Sequence, residues 1–433
     1  IRHRSVSRGL GDVYKRQELW LLPHTEQTND NRMEKTYSLR KFSDDATVKR
    51  PKELTSFSRQ IDNTITLDDS QLSYYYFADG DLNTPDGVDL SGGFSNFKVN
   101  DKLDFGDLAG MLSSIVKYER EHQKKISAKL VSFRGLLKKL MMLPYDGRDS
   151  LAFNIVVFDG QLFMQQDIDH FKFTNTPYES LNDINRKFTY SGYKFETIAT
   201  LPKPWAQCSR KEIEKRNKLE VNNIEQYCTV VKTTIGSTSL LLGAEVDCAW
   251  DYKPTDGSDA LSHYVELKTT GVLNDPTKVK NFETKLLSTW AQCFLVGIPR
   301  IVYAFRDGQL KIRSVEEFKT EEIPLLLKNN PLSVQKHQQN PNLKIVNKSM
   351  QSIKFLSGIL SWLQESISLE DESKTYKLQF DPKKNSMFVS LSENLPEESA
   401  KLLSSYLPEG EGGMLTDEFR EWRQEFKELK SKA

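Results

Sequence analysis

The chain has 433 residues, enough for one large domain or two, and its 60 basic side chains balance its 60 acidic side chains. A protein without net charge has no overall field that attracts nucleic acid, so phosphate binding requires a local cleft or a bound metal. The four cysteines lack Cys-x-x-Cys spacing, which argues against a zinc knuckle or a disulfide scaffold. No apolar run approaches the ~20 residues of a membrane span, so we expect no membrane partner and a cytoplasmic or nuclear protein.

The first 32 residues differ in character from the rest of the chain. They are basic and polar and show no helical or strand periodicity, whereas the sequence from Met33 is typical of a natural start. We therefore expect 1–32 to be a non-native or disordered leader, with a genuine disordered basic arm as the alternative. We expect 33–433 to form a single domain.

The first third of the chain contains one clear change from strand to helix. Residues 34–106 hold few strong elements, and 107–125 have the apolar stripe of an amphipathic helix. A short strand from Leu130 ends at Gly135, and a helix from Leu136 stops before Pro144. Arg134 lies where strand changes to helix, a position from which a guanidinium can bind a phosphate with two hydrogen bonds. A structural salt bridge is the alternative role for this arginine.

The middle of the chain alternates strands and helices. Asp159-Gly160 and Asp307-Gly308 each separate two apolar runs, which predicts two hairpins. Residues 188–201 fit a helix, although a strand remains open, and 209–225 fit a charged, solvated helix. Strands are predicted at 227–233, 239–249 and 264–269, and the clearest helix at 278–296, with Gly297 directly after it.

Helices are also predicted at 350–366 and 416–430, with strands at 375–380 and 386–391 between them. The whole pattern predicts a mixed α/β fold. We expect a twisted central mixed sheet of the PD-(D/E)xK kind, a second, smaller antiparallel sheet formed by the hairpins, and flanking helices.

Two charged pairs, Glu245 with Asp247 and Glu266 with Lys268, recur at a spacing of two residues. Alternate residues of a strand share a face, so each pair projects from one side of a sheet. Buried carboxylates need compensation, and an oxygen-only ligand set selects Mg²⁺ or Mn²⁺, two of which can hold a phosphoryl group. On spacing alone, a solvated face with cross-strand ion pairs is the stronger interpretation. Apolar residues 240–242 favour a buried strand and shift the balance towards a metal site.

Five motifs resemble the DXO/Rai family of RNA 5′-end decapping nucleases. They are Phe-Arg-Gly at 133–135, Gly-Tyr-Lys-Phe-Glu at 192–196, Gly-Ala-Glu-Val-Asp-Cys at 243–248, Tyr-Val-Glu-Leu-Lys-Thr at 264–269 and Trp-Ala-Gln-Cys-Phe-Leu at 290–295. Their order agrees with the family, and the similarity extends from about residue 50 to Phe-Arg-Glu-Trp-Arg at 419–423. Residues 315–330 are closer to the fungal nuclear branch than to animal members.

The resemblance implies a role for each candidate residue. It implies catalysis by Glu245, Asp247, Glu266 and Lys268. It implies one site with two divalent cations, Mg²⁺ or Mn²⁺, bound by Glu196, Glu245, Asp247, Glu266 and the backbone carbonyl of Leu267. It implies substrate contacts from Arg134, Glu245, Lys268, Gln292 and Cys228.

The same resemblance implies a hydrolase for quality control of RNA 5′ ends. Such enzymes remove pyrophosphate from 5′-triphosphate RNA or release incomplete caps and NAD caps, and some degrade RNA from the 5′ end. The alternative is a mainly non-catalytic partner that stabilises a nuclear 5′–3′ exoribonuclease, for which apolar positions in 316–335 would form the contact surface. Either role implies a nuclear protein. A DNA nuclease fits less well, because nothing in the sequence indicates base readout.

Overall fold

Alternating apolar residues and short turns build two sheets in the computed structural model, which describes residues 34–83, 87–100, 107–330, 346–384, 387–404 and 413–432. The predicted leader at 1–32 lies outside these residues. The residues from Glu34 onwards form one compact unit. None of the helices in the described ranges combines the length and the hydrophobicity of a membrane span.

The larger sheet has ten strands in the order β1-β17-β16-β7-β8-β6-β11-β10-β2-β3. Its strands are β1 (Lys35–Ser38), β2 (Val48–Arg59), β3 (Ile65–Thr66), β6 (Leu130–Phe133), β7 (Leu151–Phe158), β8 (Gln161–Gln166), β10 (Gln226–Ile235), β11 (Thr238–Glu245), β16 (Thr375–Phe380) and β17 (Phe388–Glu393). Strands β8, β6 and β11 are parallel neighbours, and the other pairs are antiparallel, so the predicted central mixed sheet is confirmed. The carboxyl ends of the three parallel strands meet at one edge.

The second sheet has seven strands in the order β5-β15-β14-β13-β12-β4-β9. They are β4 (Tyr74–Tyr75), β5 (Val88–Asp89), β9 (Thr200–Leu201), β12 (Cys248–Ala249), β13 (Tyr264–Gly271), β14 (Arg300–Arg306) and β15 (Lys311–Lys319). The prediction that this sheet is antiparallel was wrong, because β13 and β14 pair in parallel over seven residues. Parallel neighbours require a crossover, and the long predicted helix at 278–296 supplies it.

Helices cover the sheets. Their bounds are α1 (Asp79–Leu82), α2 (Ala109–His122), α3 (Arg134–Met142), α4 (Ile168–Thr174), α5 (Asp183–Ile198), α6 (Arg210–Lys215), α7 (Pro276–Val296), α8 (Ile323–Lys328), α9 (Lys348–Ser366), α10 (Pro396–Leu403) and α11 (Asp417–Lys432). Apolar side chains of α3, α7 and α9 pack on one face of the larger sheet, and those of α2 and α11 pack on the other. Helix α5 packs against the second sheet.

Most predicted elements are confirmed, including both Asp-Gly hairpins and the helix over 188–198. Two further predictions were wrong. The 209–225 helix ends at Lys215, followed by one 3₁₀ turn at Arg216–Lys218, since exposed i,i+4 charge pairs contribute too little to maintain a helix without packing. Residues 34–106 contain a twelve-residue strand, β2, whose partner β10 lies far away in sequence.

Candidate active site

The two motif strands meet at the junction of the two sheets. Strand β11 ends at Glu245, and the chain then crosses through Asp247 to β12 of the second sheet. The predicted strand over 239–249 is therefore interrupted after Glu245, and β11 and β13 belong to different sheets. Asp247 connects them, because its Oδ2 accepts a hydrogen bond of 2.6 Å from the backbone N–H of Leu267 on β13. This bond places the backbone of Leu267 beside the carboxylates.

Glu266 lies at the centre of the site and its side chain is 0% exposed. Its Oε2 accepts a hydrogen bond of 3.0 Å from Nη2 of Arg134, and its Oε1 accepts one of 2.6 Å from Nε2 of Gln292. The Nζ of Lys268, two residues along β13, also contacts Oε1. The spacing of two residues thus places Glu266 and Lys268 on one face, as predicted.

Arg134 lies at the first residue of α3, directly after β6, which confirms its predicted position. It forms a buried ion pair with Glu266, and its Nη1 is buried without a hydrogen-bond partner among the described residues. The alternative role, a structural salt bridge, is therefore present, and phosphate binding stays a prediction. One arm binds a carboxylate of the protein, and the other is a buried donor that an anion can satisfy.

Three further carboxylates face this cluster, and their burial disfavours the ionised form. Burial and the neighbouring Asp247 raise the pKa of Glu196, which α5 brings to the site. Burial and the same neighbour raise the pKa of Glu245 to about 7, and burial and Glu266 raise that of Asp247 to about 6. Burial also acts on Glu266, but Lys268 and Arg134 outweigh it and lower its pKa. A divalent cation would favour the ionised form of these buried carboxylates.

Cys228 lies directly opposite Glu245 in the β10–β11 ladder and is buried. Burial, followed by the charge of Glu245, raises the pKa of its thiol to about 12, so the side chain is a neutral neighbour of the site. Gln292 reaches the site from α7, one turn before the helix ends. The structure thus brings together all the residues that the sequence singled out.

Two cations at the site were missed. Lys138 lies one helical turn after Arg134 on α3, and burial together with the charges of Lys268 and Arg134 lowers its pKa to about 8. The i,i+4 spacing from Arg134 was the sequence signal for it. Arg59, at the end of β2, lies close enough to Cys228 for its charge to offset part of the rise in the pKa of that thiol. Its Nε is buried without a hydrogen-bond partner among the described residues. Nothing local in the sequence identifies Arg59, since only the β2–β10 pairing places it here.

The carboxylate oxygens are the kind of ligand that a divalent cation prefers, but the side chains do not yet have the positions of a formed metal site. Within the described residues, no three His, Cys, Asp or Glu side chains already form a metal-binding group. Glu266 is instead occupied by Arg134, Lys268 and Gln292. Oxygen donors suit Mg²⁺, Mn²⁺ or Ca²⁺, and the raised pKa values show that these donors are poorly compensated.

A family model described as RAI1-like PD-(D/E)XK nuclease matches residues 49–420. The chain belongs to this family. It is similar to the decapping nuclease RAI1 of Candida albicans, with 41% identity over 409 residues that cover 91% of this chain and 100% of the relative. It is also similar to the decapping nuclease RAI1 of Saccharomyces cerevisiae, with 38% identity over 393 residues, 88% of this chain and 96% of that protein.

Solved structures agree with the family membership. Candida albicans Rai1 in complex with pU5 and Mn²⁺ superposes with a TM-score of 0.80 at 40% identity, covering 91% of this chain and all of that one. Scheffersomyces stipitis Rai1 in complex with (3′-NADP)⁺ and calcium gives a TM-score of 0.78 at 40% identity, covering 90% of this chain and all of that one. The family resemblance seen in the motifs is thereby confirmed, as is the mixed α/β nuclease fold.

Membership in the family also confirms the predicted class of enzyme, a hydrolase that acts on RNA 5′ ends. PD-(D/E)XK nucleases use divalent metals, and the related structures contain Mn²⁺ and Ca²⁺, which confirms the predicted kind of cofactor.

Proposed function

We propose that this protein hydrolyses phosphate bonds at improper RNA 5′ ends, using two divalent cations. Its substrates would be 5′-triphosphate RNA, incompletely capped RNA and NAD-capped RNA, with degradation from the 5′ end as a further activity. The related proteins in complex with pU5 and with (3′-NADP)⁺ support a site for an RNA 5′ end and for a dinucleotide. We also propose a nuclear location, because residues 315–330 resemble the fungal nuclear branch of the family.

One observation carries the proposal. Four carboxylates lie together at a buried sheet junction, three of them with raised pKa values, and Nη1 of Arg134 there is buried without a partner among the described residues. Buried negative charge favours metal ions, and a buried free donor favours an anion. A phosphate bound to a metal satisfies both at once.

Each residue has a role that follows from its place. Glu196, Glu245, Asp247 and Glu266 would hold the cations, with the Leu267 carbonyl as a further oxygen. Bound divalent cations polarise a phosphate and lower the pKa of water, which makes hydroxide available near neutral pH. The Nη1 of Arg134 would bind the phosphate that carries the developing charge.

Lys268 and Gln292 both donate to Oε1 of Glu266 and so orient that carboxylate. Once a cation binds Glu266, both donors can turn towards the substrate. Lys268 would then hold the attacking water or the scissile phosphate, and Gln292 a neighbouring phosphate oxygen. Cys228 would limit the space beside Glu245.

The test is a product assay. Purified protein is given 5′-labelled triphosphate RNA, unmethylated-cap RNA and NAD-capped RNA with Mg²⁺ or Mn²⁺, and the released fragment is identified. Glu245→Ala combined with Asp247→Ala should abolish turnover of all three RNAs, because the cations lose two ligands. Asp256→Ala, an exposed carboxylate in the loop between the motif strands, is the matched control and should keep full activity.

The far-ultraviolet circular dichroism of the double variant should match that of the wild type, which separates loss of chemistry from loss of fold. Metal-dependent turnover by a folded double variant would contradict the proposed function. Turnover of duplex DNA in preference to every RNA would contradict it as well.

A second role, stabilising a nuclear 5′–3′ exoribonuclease, is supported by an exposed apolar surface in the predicted region. On α8, Leu325 and Leu326 are 61% and 48% exposed, whereas Ile323 is buried. The remaining predicted positions, 331–335, lie outside the described residues. Such an exposed apolar pair on a helix is suited to a protein contact.

Leu325→Ser combined with Leu326→Ser tests this second role. The variant should lose co-purification with the exoribonuclease while hydrolysis remains, because α8 contributes no residue to the carboxylate cluster. Leu219→Ser, an equally exposed leucine elsewhere, is the control. Unchanged binding by the double variant would remove α8 as the contact surface.

A further inference from the structure

Two buried tyrosines, one from each sheet, are hydrogen-bonded to each other. Tyr227 lies on β10 of the larger sheet and is 2% exposed, and Tyr264 lies on β13 of the second sheet and is 0% exposed. Their hydroxyl oxygens are 2.9 Å apart, and their rings meet edge to face with centroids 6.0 Å apart. If packing alone mattered, phenylalanine would fill the same space without a buried polar atom to satisfy.

The pair belongs to a chain of hydrogen bonds that has a charged group at each end. The Nζ of Lys253 donates to the hydroxyl of Tyr227 at 2.7 Å, and the hydroxyl of Tyr264 donates to Oε2 of Glu53 at 2.8 Å. Each hydroxyl has one proton and Tyr264 uses its proton for Glu53, so Tyr227 is the donor between the two rings. Thr229 donates to the same carboxylate oxygen at 2.6 Å and holds it in place. Each tyrosine hydroxyl thus donates one bond and accepts one, an arrangement in which neighbouring bonds strengthen one another.

Tyr227 also holds the segment that carries two carboxylates of the site. Its backbone carbonyl accepts a hydrogen bond of 2.9 Å from the N–H of Val246, which lies between Glu245 and Asp247. This bond follows directly on the pair of Cys228 and Glu245, with which the β10–β11 ladder ends. The backbone of Tyr227 therefore determines where the chain leaves the larger sheet.

Tyr264 has the corresponding position on the second sheet. It precedes Glu266 by two residues on β13, so the two side chains project from one face of that strand. The hydroxyl bond to Tyr227 therefore joins the segment of Glu245 and Asp247 to the strand of Glu266.

A cation site shared by two sheets tolerates little movement between them. Oxygen ligands lie at about 2.1 Å from Mg²⁺ in a nearly octahedral arrangement, so a small shift of one sheet removes a ligand. Phenylalanine at either tyrosine position would keep the apolar packing but remove the bond that sets the separation of the sheets. The polar chain thus supplies what apolar packing alone lacks, a contact with a defined length and direction.

We propose that Tyr227 and Tyr264 are positioning residues, which hold the carboxylates of the two sheets at the separation that cation binding needs. They act through Glu245, Asp247 and Glu266 rather than on the cation or the substrate. The inference rests on the proposed function, since it takes these three carboxylates as cation ligands.

The test measures Mn²⁺ binding to the purified protein from the electron paramagnetic resonance signal of the free ion. Tyr227→Phe and Tyr264→Phe should each raise the Kd for Mn²⁺ about tenfold, the effect expected when a group that orients metal ligands is lost. Both substitutions remove the same bond between the sheets, so the Kd of the double variant should match that of Tyr264→Phe. A double variant in which the two effects multiply would overturn the proposal, and so would an unchanged Kd in the single variants.

Tyr37→Phe is the matched control. This tyrosine is 2% exposed and lies on β1 at the far edge of the larger sheet, and its hydroxyl donates to the carbonyl of Lys41 at 2.9 Å. Loss of this hydroxyl should lower the melting temperature as the other two substitutions do, but leave the Kd for Mn²⁺ unchanged. An equal rise of the Kd in this variant would show that any buried hydroxyl has the same effect, and would overturn the proposal.

Lys253 offers a second pair of variants at the outer end of the chain, where 17% of the side chain is exposed. Lys253→Met removes the donor that orients the Tyr227 hydroxyl and should raise the Kd for Mn²⁺ about threefold. Lys253→Arg keeps a donor and should restore the Kd of the wild type. If the tyrosine variants do not fold, this pair decides, because an unchanged Kd in the Met variant would overturn the proposal.

Glu245→Ala combined with Asp247→Ala separates this inference from the proposed function. Loss of Mn²⁺ binding in that variant, together with an unchanged Kd in the tyrosine variants, would overturn the inference alone. Full Mn²⁺ binding in that variant would contradict the cation site of the proposed function, and the inference with it.

Discussion

At the scale of single residues, the positively charged side chains of the site differ in whether a carboxylate of the protein already compensates their charge. Arg134 and Lys268 both contact Glu266, so much of their charge is already compensated within the protein. Lys138 differs, because it lies beside both of them and forms no salt bridge with a described residue. A partly buried cation without a carboxylate partner is stabilised when an anion arrives, and the phosphate of a substrate is such an anion.

Lys138→Met should therefore raise the KM for 5′-triphosphate RNA about tenfold, with a smaller change in kcat, because a charge-assisted contact to the substrate is lost. The slope of the logarithm of affinity against the logarithm of salt concentration should fall by about 0.7. Steady-state kinetics and anisotropy at several salt concentrations measure the two quantities. Lys138→Arg keeps the charge and is the control. An unchanged salt slope in the Met variant would show that Lys138 does not contact phosphate.

At the scale of elements, helices deliver side chains that strands cannot. Helix α3 presents Arg134 from its first residue, α5 presents Glu196 near its end, and α7 presents Gln292 in its last turn. The last of these helices also connects the parallel strands β13 and β14, so it positions Gln292 over the strand that carries Glu266. Packing of helices on sheets thus determines the site as much as the strands do.

The C-terminal helix α11 is held by a buried charge network rather than by apolar contact alone. Arg423 donates to Glu119 on α2 through Nε and Nη2, each at 2.8 Å, and to Asp159 through Nη1, also at 2.8 Å. Trp422 donates to the same Glu119. The arginine and the glutamate are almost completely buried.

Arg423→Met should lower the free energy of unfolding by about 3–5 kcal/mol, because it leaves the carboxylate of Glu119 buried without its cation. Urea unfolding followed by tryptophan fluorescence measures the change. Arg210→Met removes an exposed i,i+4 pair with Glu214 and should change stability by less than about 0.5 kcal/mol. Similar small effects of the two substitutions would mean that α11 docks without help from this network.

At the scale of the whole molecule, the carboxylates join two sheets at their junction. Glu245 ends a strand of the larger sheet, Glu266 belongs to the second sheet, and Asp247 lies in the crossing between them. Repulsion among these groups opposes the junction when no cation is bound. A cation that binds carboxylates of both sheets would raise the free energy of unfolding, because it binds the folded molecule and not the unfolded chain.

Removal of metal should therefore lower the melting temperature, and more at pH 8 than at pH 5. The folded-state pKa values of Glu245 and Asp247, about 7 and about 6, lie above their usual range, so the stability that these two groups contribute without metal is greatest at low pH and is lost as the pH rises through those values. A cation at about 100 times its Kd should restore about 2.7 kcal/mol at pH 8. Calorimetry with EDTA or Mn²⁺ at both pH values measures this. An equal effect of EDTA at the two pH values would contradict it.

Local patterns in the sequence were sufficient for much of the fold and for the motif residues. The apolar stripe of α7, the Asp-Gly turns and the alternate charges of Glu266 and Lys268 depend on neighbours a few residues apart, so their periodicity is visible in the chain itself. The same holds for Arg134, since a strand that ends where a helix begins is a local feature. The resemblance of the motifs then assigned the family correctly.

What only the tertiary structure decided depends on contacts between distant segments. Strand β2 is polar along much of its length and is specified by pairing with β10, while the parallel register of β13 and β14 follows from packing of α7. The crossing of the chain from one sheet to the other at Asp247 is likewise invisible in a strand pattern. Lys138 gains its environment only when separate strands end at a common edge. Burial and electrostatic compensation are properties of the folded molecule. For that reason the sequence by itself indicated the motif residues, whereas the fold decided which further cations lie beside them and how the charges are balanced.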